Sequence, residues 1–558
     1  MDLIIRNGLI VDGSGLPGFV GDLGIEQGRI RRVGGRITAD GAREIDATGR
    51  VVAPGFIDPH THFDVQLLWD GQARPALEHG VTTVVPGNCS LSLAPLKEEH
   101  RSRLVGMFQQ IEEMPDAAFE GAFDWTWETF EDYAKALRGR LGINVAPLVG
   151  HSVIRLWVMG DAATERAATP AEIEAMGDLL RRSLQAGALG LSTSFVDVDE
   201  NLQPVPSRYA HLDELDGLAA VLGEFGRMLQ VVPEFYNTDI TLARIDQLAE
   251  LSLAHGIPTT FSPLFDSAAT PENVPRVMAR VREQMARGAR VWPQVQTRPI
   301  DISFSFDQAS LLFAALPSWY LTMRLPREQK IAAFRDPARL ESLLADAEPD
   351  GDTGRWARVR VRSVPRDEDA ALVGRTLGEI AAEQGSSPAR VMVELSLDND
   401  LQVFFLAAGL GHDDVARIGP LLADPHVHIG ASDGGAHIQS FATYGDTGYL
   451  LRTFVREGGH LTLEAAVKKI TADPARIWGI PERGLLQEGR VADITIFDPE
   501  RIARGEEHPV FDMPEAGMRY VREARGIEAV LVGGEPAWQA GTGYLDHRGG
   551  LVVHAAQA

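Results

Sequence analysis

From residue 169 to residue 431 the chain alternates helix-forming stretches with short apolar runs, and few architectures accept that rhythm. Thr169-Pro170-Ala171-Glu172 forms a capping box with proline at the first helical position, and the helix it starts is predicted to run to about Gly187. An apolar run over 188–195 follows. Predicted helices over 213–225, 241–255, 271–286 and 413–422 precede apolar runs over 228–235, 257–265, 290–296 and 427–431. These are apolar runs rather than clean alternations, as in parallel strands covered on both faces. Runs near Phe56, Val81 and Val145 bring the strand candidates to eight. Eight strand–helix units predict an α/β fold, a TIM-type (β/α)8 barrel; a doubly wound open sheet is the alternative.

The two ends of the chain have a different texture. Short strands over 3–5 and 9–11 flank Asn7-Gly8, and strands over 22–26 and 29–33 flank Gln27-Gly28, both hairpin-turn signals. Residues 49–54 form a third run. Near the other end, 489–498 and 527–533 read as strands, the second followed by a turn at Gly534-Glu535. The expected organisation is a small β-sandwich built from 1–54 plus 485–558 around a barrel over 55–484. Two separate edge hairpins are the alternative. The rhythm breaks between 301 and 364, where aromatic residues, the cluster Leu316-Pro317-Ser318-Trp319-Tyr320 and a polar helix over 337–347 predict a lid or substrate-pocket insertion.

Composition narrows the partners. The formal net charge is −25, which repels phosphate backbones and anionic lipid headgroups and speaks against nucleic acid as a partner. Cys89 is the single cysteine, so no intrachain disulfide forms, consistent with a reducing cytoplasm. The first residues lack the pattern of a signal peptide, and no apolar run is long enough to span a membrane. A small-molecule substrate and a symmetric homo-oligomer are the expected partners.

The chemistry concentrates in Gly55-Phe56-Ile57-Asp58-Pro59-His60-Thr61-His62. Residues two apart on a strand share a face, so both imidazoles would enter the barrel at the end of its first strand. Two convergent imidazoles suit Zn2+ or a similar divalent ion. Asp433 lies in Gly430-Ala431-Ser432-Asp433-Gly434-Gly435, directly after the last predicted strand. A carboxylate there is placed to hold the metal and to accept a proton from attacking water. Gln296 and Arg298 end the seventh strand, and an arginine at a barrel mouth is suited to clamp a carboxylate. Trp69, Trp125, Trp127 and Trp319 are candidates to line an acyl pocket.

The sequence resembles the amidohydrolase superfamily and, within it, the N-acyl-D-amino-acid deacylase group. The residues that carry this are 55–62 with Asp64; His79-Gly80-Val81-Thr82-Thr83-Val84-Val85 through Gly87-Asn88-Cys89; Val149-Gly150-His151; 187–194; Ser432-Asp433-Gly434-Gly435-Ala436-His437; and Arg483-Gly484 with 489–493. The resemblance implies that His60 and His62 are first-strand metal ligands, that Asp433 is the last-strand ligand and general base, and that Cys89 ligates the metal. A lone cysteine is otherwise most often a small buried hydrophobe. The better-known deacylases carry histidines on the fifth and sixth strands; here those strands read Gln230-Val231-Val232-Pro233-Glu234-Phe235 and Pro258-Thr259-Thr260-Phe261-Ser262-Pro263. The fourth offers no lysine for a carbamylated bridge. The implied cofactor is a divalent ion, zinc by donor type, in one or two copies, with a single ion favoured. His151, His437 and Glu234 are the substitute candidates.

The expected reaction is hydrolysis of a C–N amide bond, most simply in an N-acyl (D-)amino acid. Asp433 takes the water's proton and delivers it to the leaving nitrogen, while His151 or His437 stabilises the oxyanion. The alternatives are a cyclic-amide or lactone hydrolase, and a catalytically impaired barrel that binds rather than cleaves.

Overall fold

Apolar sequence runs become strands with almost no exposed residue. In Gly190–Ser194 and Met228–Val232 every residue is buried, so these strands have no solvent face. The computed structural model describes residues 1–558 except 39, 120, 308–309, 314–315, 431 and 555–558. The expected strand end at Ala431 therefore lies outside the described residues. Two compact units result, one of Met1–Arg298, Asp414–Ile438 and Ala442–Ala558, the other of Pro299–Asp413 and Gln439–Phe441.

In the first unit a six-stranded parallel sheet runs Val149–Gly150, Gly190–Ser194, Met228–Val232, Thr259–Phe261, Val291–Val295 and His428–Ile429 in spatial order. A three-stranded parallel sheet holds Phe56–Asp58, Val81–Val84 and Asn144–Val145. Pro147, which has no N–H to donate, separates Asn144–Val145 from Val149–Gly150. The backbone still pairs across this break, Ala146 N to Val84 O and Leu189 N to Pro147 O. At the opposite edges Thr61 bridges Gly434 in parallel, and His62 N donates to Gly434 O at 2.7 Å.

Helices connect these strands near the predicted limits. Pro170–Gln185 begins at the Thr169 capping box. Leu212–Phe225 and Thr238–His255 each stop at a glycine in the left-handed region, Gly226 at φ 63° and Gly256 at φ 67°, where an L side chain is strained. Asn273–Ala286 and Val415–Ala423 complete the pattern.

Strands from both chain ends share one nine-stranded sheet. Val51–Pro54 lies between Leu3–Ile10, which it pairs in parallel, and Ile494–Phe497, which it pairs antiparallel. Separate edge hairpins are thereby excluded. Gln27-Gly28 turns a hairpin as predicted, with φ of 52° and 72°. Asn7-Gly8 does not. Leu3–Ile10 is one strand, and its pairing with Phe19–Glu26 shifts register between Ile5 and Gly8. Asn7 takes φ 58° and its N–H donates to Asp22 Oδ1 at 3.1 Å, so the left-handed residue makes a bulge instead of reversing the chain.

The second unit is longer than the expected insertion, because packing continues past residue 364 to Asp413. Its sheet pairs Phe404–Ala407 antiparallel with Ile302–Phe304 and Arg360–Ser363. Helices Pro337–Ala347, Leu377–Gln384 and Pro388–Asp398 contribute to the core around Phe306, Phe313, Trp319 and Trp356. Trp319 is fully buried there, stacked on Phe313 at 5.1 Å, and its Nε1 donates to Leu343 O at 2.6 Å. This corrects its expected role in substrate binding, since the ring has no free face. Among the described residues no helix is long and apolar enough to cross a membrane.

Candidate metal centre

His60 and His62 emerge just beyond Phe56–Asp58, on either side of the bridging Thr61, each with about 1% of its surface exposed. Their Nε2 atoms lie 3.5 and 3.8 Å from Cys89 Sγ. The three ligand atoms fall within 4.8 Å of one another. Asp433 Oδ1 stands 3.3 Å from His60 Nε2 and 3.8 Å from His62 Nε2.

Two strained loops deliver the thiol and the carboxylate. Cys89 and Ser90 both hold left-handed backbone, with φ of 54° and 69°, a state that costs about 1–3 kcal/mol per residue and persists only where neighbours impose it. Asn88 Nδ2 donates to Val85 O, Ser90 N to Ser192 Oγ, and Gly87 N to Asp64 Oδ2. Side chains on two other segments, Ser192 and Asp64, together with the loop's own Asn88, therefore hold the cysteine in place. Asp433 has φ 57°. Its loop is tied down by Ser432, whose hydroxyl donates to Asp58 Oδ2 at 2.7 Å and accepts from Gly434 N at 3.1 Å.

The far sides of both rings meet oxygen. His60 Nδ1 is 3.2 Å from Gln294 Oε1, whose amide Nε2 donates to Thr260 Oγ1. His62 Nδ1 is 3.1 Å from Glu112 Oε1. A proton on Nδ1 leaves the Nε2 lone pair facing the thiol. Burial lowers the pKa of both rings, His60 to about 4, so both are neutral at neutral pH. Burial opposes ionisation of Asp433, and the facing His62 and His60 hold its carboxyl below the usual range only when those rings are protonated, not in the neutral pair. Burial and the surrounding acids Glu112, Asp197, Asp433 and Asp64 push the Cys89 thiol well up. The donor set of imidazole, thiol and carboxylate, ringed by buried acids, fits a zinc-like divalent cation.

The other sequence-predicted residues divide. His437 stays close: it takes φ 51°, its backbone N donates to Glu112 O at 2.7 Å, and its Nδ1 sits 3.1 Å from Glu113 Oε2. Burial opposes its protonation, but the Glu113 carboxylate raises its pKa. His151 is turned to another task. Nδ1 is 2.9 Å from Thr193 Oγ1 and Nε2 is 2.7 Å from Glu214 Oε1, so both nitrogens are engaged, and Glu214 also pairs with Arg155. The expectation that His151 ligates metal or stabilises an oxyanion is corrected on that ground. Arg298 spends its guanidinium internally, Nε on Asp446 Oδ1 at 2.9 Å and Nη2 on Ser432 O at 2.7 Å. It braces the Asp433 loop instead of presenting an open carboxylate clamp. Gln296 Nε2 donates to Arg298 O, and Glu234 forms a two-pronged pair with Arg244 that leaves it no ligand role. Sequence reasoning missed Glu112 and Gln294 as partners of the rings. Neither sits in a distinguishing motif, so no local signal marks them.

The model of the amidohydrolase family matches residues 43–228 and 328–537. D-aminoacylase from Alcaligenes xylosoxydans xylosoxydans is 30% identical over 558 residues, covering 100% of this chain and 98% of the relative. N-acyl-D-glutamate deacylase from Bordetella bronchiseptica, solved with zinc and a phosphonate mimic of the tetrahedral intermediate, superposes with a TM-score of 0.68 at 27% identity over the full length of both chains. A D-aminoacylase structure that addresses one-metal activation and second-metal attenuation in a binuclear centre gives a TM-score of 0.65 at 27% identity, covering 99% of each chain.

Proposed function

The chain belongs to the amidohydrolase family, and from that premise we propose that it deacylates N-acyl amino acids, the D-enantiomers first among them, at the His60–His62–Cys89–Asp433 cluster. It is an enzyme, a metal-dependent hydrolase of C–N amide bonds with a small-molecule substrate. The observation that carries the finer reading is the convergence of three soft or borderline donor atoms within 4.8 Å, with a carboxylate oxygen 3.3 Å from one of them.

His60, His62 and Cys89 would hold one ion, with Asp433 completing the set. When bound, such an ion supplies Lewis acidity to the hydrolytic water and to the scissile carbonyl. Asp433 accepts a proton as the water oxygen forms its bond to the carbonyl carbon. It returns that proton to the nitrogen as the C–N bond breaks, so the products are a carboxylic acid and an amine. His437, held by Glu113, is the donor placed to stabilise the developing oxyanion. A ring-amide or lactone substrate and a purely binding role are both less favoured by relatives that are deacylases along their whole length.

The reading extends to the architecture. The two parallel sheets, paired across the Pro147 break and the Thr61–Gly434 bridge, support a TIM-type (β/α)8 barrel over 55–484. The nine-stranded terminal sheet supports a small β-sandwich over 1–54 plus 485–558. A single cysteine used as a metal donor is consistent with a reducing cytoplasm, and a symmetric homo-oligomer is the expected assembly.

Asp433→Asn tests the mechanism. Turnover of N-acetyl-D-amino acids, measured by amine release, is expected to fall by about three orders of magnitude with the fold intact. Activity equal to the wild type would sink the assignment of Asp433.

A further inference from the structure

We infer that Glu112 is a positioning residue for His62, holding that ring so that Nε2 presents its lone pair to a metal ion; this rests on the metal-binding reading above. Glu112 directly follows the helix Arg101–Ile111 and is 2% exposed. Its Oε1 approaches His62 Nδ1 to 3.1 Å. The two atoms are out of hydrogen-bond alignment, and among the described residues neither has a hydrogen-bond partner. A buried carboxyl oxygen and a buried ring nitrogen left unpaired at that separation keep their desolvation cost without its usual return. The folded chain alone gives no reason for such a pair.

The backbone explains why the carboxyl is there. Glu112 N donates to Phe108 O at 3.0 Å, and Glu112 O accepts from His437 N at 2.7 Å. The next residue, Glu113, takes φ 50° and sends its own carboxylate to His437. The main chain is thus fixed on both sides, and the Glu112 side chain reaches the back of the His62 ring from a rigid base. The front of that ring, Nε2, faces Cys89 Sγ and Asp433 Oδ1. Glu112 approaches the opposite nitrogen, so it acts through His62. With a cation bound, a carboxylate at Nδ1 would favour the tautomer that leaves Nε2 free, fix the ring's orientation and strengthen it as a donor.

His60 supplies an internal control. Its Nδ1 meets the amide oxygen of Gln294 at 3.2 Å, a neutral acceptor in the same position relative to the ring. The two rings of one cluster are therefore backed by different groups, an amide oxygen behind His60 and a carboxyl oxygen behind His62. The acidic partner, whose Oε1 has no hydrogen-bond partner among the described residues, is the one whose removal should be felt in metal affinity.

The test measures zinc affinity of the full-length protein by competition with a chromophoric chelator, alongside heat unfolding of the metal-stripped form. Glu112→Ala is expected to weaken zinc binding roughly 10- to 100-fold, with the stripped variant melting no lower than the stripped wild type. Glu112→Gln keeps an acceptor oxygen and is expected to recover part of the loss. A merely structural role would do the reverse, lowering the melting temperature of the stripped protein and leaving zinc affinity alone. The inference is overturned if the wild type binds zinc and Glu112→Ala binds it within twofold. Should the alanine variant not fold, Glu112→Gln decides: several-fold weaker binding supports the inference, and wild-type affinity overturns it. A wild type that takes up no zinc defeats the metal reading itself, which separates the two failures.

Discussion

The His60–His62–Cys89 cluster and the aromatic core of the second unit are both buried, but they are built on opposite terms. Around Trp319 and Trp356 the rings stack on Phe313, and both indole N–H groups donate to main-chain carbonyls, of Leu343 and Ala347. None of those aromatic residues has a left-handed backbone. Around the cluster Cys89, Ser90, Glu113, Asp433 and His437 all do. There, among the described residues, His62 Nδ1, Asp64 Oδ1, Asn88 Oδ1 and Glu112 Oε1 also lack hydrogen-bond partners. One region minimises its own free energy; the other is kept in a costly arrangement by its surroundings, as sites that must accept a ligand are.

Three substitutions probe that contrast. The largest effect is expected from Cys89→Ala, which removes the chain's single thiol. Bound zinc, measured by elemental analysis, and turnover should both collapse, turnover by about a thousandfold, while the unfolding midpoint of the metal-stripped protein holds. Full zinc occupancy in that variant would contradict the donor assignment. Trp319→Ala should do the opposite. Loss of a fully buried indole from a stacked core is expected to cost about 3 kcal/mol in denaturant unfolding, with zinc stoichiometry unchanged; a stable variant that had lost its metal would dissolve the distinction between the regions. The smallest effect belongs to Ser432→Ala. It removes the hydroxyl that links Asp58 to the Asp433 loop, and a kcat reduction of about tenfold with zinc retained is expected. An unchanged kcat would mean that the loop holds its strained form without that link.

Sequence pattern disclosed the parallel strands because burial on both faces leaves a mark that needs no partner: a run of apolar residues. The Thr169 capping box fixed a helix start for the same reason, all its contacts being local. His60, His62, Cys89 and Asp433 were legible as ligand types in plausible places. What sequence could not disclose was which ionisable groups are already engaged. His151 is satisfied by Glu214, 63 residues away, and Arg298 by Asp446, 148 residues away. Glu112 was invisible because its importance is a 3.1 Å approach to a ring 50 positions earlier in the chain. Asn7-Gly8 misled because a left-handed residue serves a bulge as well as a turn, and only the neighbouring strand decides between them.

The terminal sheet has a consequence for how the protein is made. Val51–Pro54 is fully buried, and one of its two edges is covered only by Ile494–Phe497. During synthesis about 440 residues must follow before that neighbour exists. At ordinary translation rates the wait is roughly 20 to 90 seconds. Through that interval a hydrophobic strand with unpaired amides is available to any other nascent chain or to itself in a second copy. Until Ile494–Phe497 is made, that edge of Val51–Pro54 lacks its native neighbour.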